Sequence, residues 1–86
     1  MKKTDVFNLV QNNILEILVN VTEADIRPEI SMRDIGANSI DRADVVVMCL
    51  ADLSLKIPLV KFAGLKTIGE LVDLLYAEHQ TKEVVE

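Results

Sequence analysis
Apolar residues recur three and four positions apart over three stretches of the chain, and polar or turn-forming residues fill the gaps between them. In the first stretch, about Asp5 to Val19, the apolar positions are Val6, Leu9, Val10, Ile14, Ile17 and Leu18, with Val21 just beyond. That spacing predicts an amphipathic helix with a broad core-facing stripe. Thr4 is expected to cap it, and Asp5 suits its first turn. A second helix is predicted from about Ser39 to Leu53. It should stop near Ser54-Leu55-Lys56-Ile57-Pro58, because Pro58 biases Ile57 away from helical geometry. Leu59 to Gly64 can form a short third helix with Gly64 as its C-cap. Thr67-Ile68-Gly69-Glu70 matches a capping box, and the helix it opens carries Ile68, Leu71, Val72, Leu74 and Leu75 on its apolar side.

The stretch from Thr22 to Ser31 has a different character, with Pro28 barring any helix from running through it. Ile26, Ile30, Met32 and Ile35 recur along this long connection, which predicts a loop pinned to the core. Loops of that length are uncommon in small domains and are often functional. The sum is an all-α chain: a small four-helix bundle of three main helices, one short helix and a long first loop. Residues 1–80 are expected to form the domain, and 81–86 a flexible, charged C-terminal tail.

Composition narrows the function. Half of the 86 residues are hydrophobic, but Phe7, Phe62 and Tyr76 are the only aromatics, so Ile, Leu and Val must build the core. A net charge of -5 argues against nucleic acid as a partner and favours proteins with basic contact surfaces. Cys49 is the single cysteine, which excludes a disulfide framework and a cysteine metal site. The start, Met1-Lys2-Lys3-Thr4-Asp5, does not read as a signal peptide, and no apolar run approaches membrane-spanning length. A cytoplasmic monomer is the expectation.

Chemistry concentrates at Asp34-Ile35-Gly36-Ala37-Asn38-Ser39-Ile40-Asp41, a turn that delivers a serine to the start of the second helix. A hydroxyl there is exposed and lies in the positive end of the helix dipole, which suits an attached anionic group. The one histidine, His79, lies at the far end of the last helix, so no general base is offered to Ser39. A self-activated nucleophile needs such a base within hydrogen-bond reach. Ser39 therefore reads as an acceptor rather than a catalyst. The competing reading is that Ser39 is simply an N-cap, since serine is among the best capping residues.

The string Gly36-Ala37-Asn38-Ser39-Ile40-Asp41 resembles the hallmark Gly-x-Asp-Ser-Leu/Ile of the acyl carrier protein family. The helix order, the long first loop, Ile57-Pro58 and the capped last helix are also similar to that family. The resemblance implies a non-catalytic carrier. Its serine is modified by a phosphopantetheinyl transferase using coenzyme A and Mg²⁺, and the attached phosphopantetheine arm ends in a thiol that holds acyl groups as thioesters. Asn38 departs from the usual Asp. Asparagine can still cap, but the lost charge is expected to affect the rate of modification.

Carriers of this family are gripped through the second helix. Here Asp41 and Asp44 share a face near Ser39, Arg42 adds a positive charge, and the usual acidic run gives way to Met48, Cys49, Leu50 and Ala51. One face can bury Val46, Cys49, Leu50 and Leu53; some of Ile40, Ala43, Val47 and Met48 should then be exposed beside the arm. The expected partner surface is Ile40, Asp41, Arg42, Ala43, Asp44, Val47 and Met48. The run from Gly36 to Val45 further resembles the stand-alone donor carriers of polyketide β-branching cassettes, a branch of antibiotic biosynthesis. That resemblance implies loading with malonyl by an acyltransferase, conversion to acetyl by a decarboxylase, and donation to an enzyme resembling hydroxymethylglutaryl-CoA synthase. A carrier for fatty-acid or other polyketide synthesis, and an unmodified helical interaction domain, stay open as alternatives. An enzyme is least expected.

Overall fold
The three apolar stripes become three α-helices, α1 (Lys3–Ile17), α2 (Ser39–Leu53) and α3 (Ile68–Val85). The structure, a computed structural model, describes residues 1–85, the side chains of 83–85 excepted. Glu86, the end of the expected tail, lies outside the described residues. The helical backbone of α3 continues past Gln80, so the boundary expected there falls inside a helix. Lys82 is fixed to the core unit: its Nζ donates to the carbonyls of Ser54 at 2.8 Å and Leu53 at 3.5 Å, a cation placed on the C-terminus of α2.

Two boundaries differ from the sequence expectation. α1 starts and ends about two residues early, with Lys2 as its N-cap, so Thr4 lies inside the first turn and does not cap. The Asp5 carboxylate accepts from the Lys2 amide at 2.8 Å and thereby satisfies the start of the helix without Thr4. At the other end Leu18 turns extended, and Val19 is 89% exposed. α2 spans Ser39–Leu53 as expected, and Ser54, ahead of the proline, is what closes it. Ser54 takes the left-handed conformation (φ 54°), and the amides of Ser54 and Leu55 donate to Ala51 and Leu50, a Schellman closure.

The expected short helix is a 3₁₀ turn, Leu59–Phe62, closed by Ala63 in right-handed geometry. Gly64 is not its left-handed cap; Gly36 is the only glycine described with positive φ. Two further 3₁₀ turns, Glu23–Asp25 and Met32–Ile35, organise the long first connection. That connection is pinned as expected: Ile26 is buried, and Ile30, Met32 and Ile35 pack against the core. It also caps α3 through its backbone. The amides of Ile68 and Gly69 donate to the carbonyls of Ile30 and Pro28, each at 2.8 Å. A side chain at residue 69 would meet the Pro28 oxygen at 2.9 Å, so glycine is required for this approach. Thr67 and Glu70 complete the start of α3 with the reciprocal bonds of a capping box.

The core joins Val6, Val10 and Ile14 of α1 to Val45, Val46, Cys49, Leu50 and Leu53 of α2 and Ile68, Leu71, Val72 and Leu75 of α3. Each such side chain taken fully out of water contributes about 1.5–3 kcal/mol before entropy is counted. α1 packs against both other helices, and the three share one core. A cleft opens between α2, the 3₁₀ turn Leu59–Phe62 and the connections before α2 and α3.

One polar group enters the core. Asn13 of α1 is buried and donates through Nδ2 to Cys49 Sγ at 3.3 Å and to the Asp52 carboxylate at 3.1 Å. Burial pushes the Cys49 thiol up to about 11, with the Asn13 bond working against that rise and the Asp52 charge adding to it. The thiol is protonated and unreactive at neutral pH.

Candidate functional site
The turn into α2 is built by two interlocking devices. Ser31 and Asp34 bracket the 3₁₀ turn Met32–Ile35 with reciprocal backbone bonds, and Gly36 (φ 96°) ends it in left-handed geometry. Ala37 is buried beneath. The chain then enters α2 with Asn38 as N-cap. Its Oδ1 accepts from the Asp41 amide at 2.8 Å, and the Asp41 carboxylate accepts from the Asn38 amide at 3.2 Å.

This capping box leaves the Ser39 side chain out of the helix closure. Because Asn38 does the capping, Ser39 is the first helical residue, and its hydroxyl has no part in closing the helix. Ser39 is exposed, and Oγ accepts a bond from Arg42 Nη2 at 3.3 Å. The first-turn amides of a helix lack intrahelical partners, and an anion on Oγ would meet them, the dipole and the guanidinium together. Those groups fit a phosphodiester at Oγ. His79 is half-buried on α3.

Replacing the Asn38 cap by Ala should cost about 0.5–2 kcal/mol. Thermal unfolding checks this: a smaller melting shift for Asn38→Ala than for an exposed control such as Val19→Ala would contradict the capping role.

α2 places the expected partner residues as follows. Ile40 is 72% exposed and Val47 49%, and with exposed Asp44 they fall on one stripe at helical spacing. Ala43 is exposed, while Met48 and Arg42 are half-buried. Asp41 is also half-buried, and its carboxylate is occupied by the cap rather than presented outward. The buried face holds Val46, Cys49, Leu50 and Leu53 as expected, and Val45 in addition. Sequence does not single out Arg33 and Lys66, although both line a cleft beside α2 together with Arg42. They lie in connections, where periodicity gives no direction to a side chain.

Comparison with known proteins agrees with this geometry. The family model for the phosphopantetheine attachment site matches residues 12–75. The chain is 41% identical to the polyketide biosynthesis acyl-carrier-protein AcpK of Bacillus subtilis, over 94% of this chain and 99% of that protein. It superposes with a TM-score of 0.79 and 36% identity on a chain of the crystal structure of the curacin biosynthetic pathway HMG synthase in complex with acetyl donor-ACP, covering 90% of this chain and 97% of that one. The chain belongs to the phosphopantetheine-bearing acyl carrier family: a small all-α carrier, modified and used by partner enzymes. No helix among the described residues is long and apolar enough to cross a membrane.

Proposed function
We propose that this chain carries phosphopantetheine on Ser39 and donates an acetyl group, formed from malonyl, to a β-branching enzyme resembling hydroxymethylglutaryl-CoA synthase. The observation that carries the attachment site is the division of labour at α2: Asn38 caps, and the Ser39 hydroxyl is exposed under a guanidinium. In attachment the Ser39 oxygen bonds to the pantetheine-side phosphorus, the diphosphate link of coenzyme A breaks with adenosine 3′,5′-bisphosphate as the leaving group, and the hydroxyl proton passes to a base of the transferase. When present, the arm supplies a thiol for thioester formation. The likeness to a chain crystallised with an HMG synthase supports the choice of acceptor enzyme. An acyltransferase and a decarboxylase supply the acetyl group. The setting is cytoplasmic, which suits a carrier with one thiol and no disulfide, and the chain acts as a monomer.

The acceptor enzyme docks on the exposed stripe of Ile40, Asp44 and Val47, flanked by Asp41, Arg42, Ala43 and Met48. An apolar stripe beside the modified residue, in place of an acidic run, separates this carrier from those gripped by charge alone. With the arm loaded by acetyl, transfer to a β-branching synthase should exceed transfer to a fatty-acid condensing enzyme by at least about tenfold in kcat/KM, or ~1.4 kcal/mol of discrimination. The reverse preference would remove the donor reading and leave a general carrier. Val47→Glu should lower the preferred transfer by about tenfold or more while the arm is still attached to the same extent. Unchanged transfer would show that the stripe is not the docking face.

A further inference from the structure
A cleft of about 560 Å³, bounded by α2, the 3₁₀ turn Leu59–Phe62 and the connections before α2 and α3, has an unusual charge. The chain has 14 acidic residues against 9 basic ones, yet the cleft is lined by three cations, Arg33, Arg42 and Lys66, and by no carboxylate. None of the three joins an ion pair among the described residues. Like charges facing one concavity repel, and the repulsion is relieved when an anion enters. Val46, Phe62 and Leu71 give the cleft an apolar lining, which suits a small ligand. Arg42 ties this space to the carrier site, because it lines the cleft and also donates to Ser39 Oγ.

We propose that this cleft holds the free carboxylate of a malonyl-class group, a short dicarboxylic half-thioester, carried on the chain's own arm, and releases the group once it has become acetyl. The proposal rests on the malonyl-to-acetyl loading given above. Arg42 lies nearest the attachment oxygen and faces the phosphodiester; Arg33 and Lys66 are left for the distal carboxylate. Tethering puts that carboxylate at an effective concentration in the millimolar range, so a weak charge-assisted contact is enough to populate the docked form. The decarboxylase breaks the bond to the carboxyl carbon, carbon dioxide leaves, and a proton is taken up at the carbon left behind. The acetyl product has no charge for the two cations to hold. The cleft thereby sorts the precursor from the group that is ready to donate.

The test compares amide chemical shifts of the isotope-labelled full chain with the arm alone, with malonyl and with acetyl, each form verified by intact mass. The amides of Arg33, Lys66 and Thr67 should move in the malonyl form and stay at their arm-alone positions in the acetyl form. The malonyl shifts should be lost at about 1 M salt, where screening falls to roughly 3 Å, and in the Arg33→Gln/Lys66→Gln variant. Both side chains are exposed, and the variant should fold as the parent does. Malonyl and acetyl spectra that coincide would overturn the inference, as would malonyl shifts that survive in the variant. Shifts that appear only when the synthase is added would overturn it too, by making the cleft a partner contact. Correct mass without shifts sinks this inference alone; a chain that accepts no malonyl sinks the loading reading with it.

Discussion

Ser39→Ala should gain no mass on incubation with coenzyme A and a phosphopantetheinyl transferase, while the parent chain gains one phosphopantetheine. The loss should be complete, because the attached group needs an oxygen at that position and alanine has none. What makes the experiment decisive is that the same change should leave the fold alone. Ser39 stands inside the first turn, and the cap is made by Asn38 with Asp41. Alanine is the best helix former, and the hydroxyl's one described bond is the exposed contact from Arg42. The stability change should therefore stay within about 0.5 kcal/mol, the usual range for surface substitutions. Asn38→Ala gives the opposite pattern, a weakened helix start with the acceptor hydroxyl in place. If Ser39 were simply a cap, its loss would destabilise α2 and the parent would acquire no arm. A parent mass that never rises, with several transferases, would end the attachment proposal.

The division between Asn38 and Ser39 is one residue wide, and it marks how far the sequence could be read. Periodicity located the three helices, because a core-facing stripe has to repeat at the helical period, and α2 and the start of α3 fell where the apolar pattern put them. The capping box at Thr67 and Glu70 was legible for the same local reason. Ends set by backbone conformation were less so. The end of α2 at Leu53 was legible, but nothing in a serine announces the left-handed geometry by which Ser54 closes it. Nothing in the sequence sets Asn13 apart from the other polar residues of α1; its burial against Cys49 and Asp52 depends on how two helices meet. The cleft was hidden more thoroughly. Arg33, Arg42 and Lys66 lie on three different segments, two connections and α2, and reach one space only through the tertiary fold. The motif around Ser39 was legible since its chemistry is contained in a few consecutive residues.

The central position of α1 sets the second large effect. Ile14→Ala should destabilise the chain by about 2–5 kcal/mol, from the lost transfer energy plus the cavity left behind. Ile14 is fully buried and stands on a helix that packs against both others, so the void would loosen α1 against α2 and α3 together. A domain of this size has a total stability near the low end of about 5–15 kcal/mol, so the loss is a large share of it. At about 4–8 °C per kcal/mol for 60–100 residues, the melting temperature should fall by at least ~8 °C. Val19→Ala, just beyond the same helix, is the matched control. Val19 is 89% exposed, and trimming it should move stability by no more than about 0.5 kcal/mol. Equal melting shifts for the two would mean that Ile14 does not occupy the shared core. The carrier should still accept its arm where Ile14→Ala remains folded, since Asn38, Ser39 and Arg42 fix the start of α2 by local bonds. Lost attachment at a temperature where the variant is folded would instead couple the α1 core to the serine, which the local capping geometry does not predict.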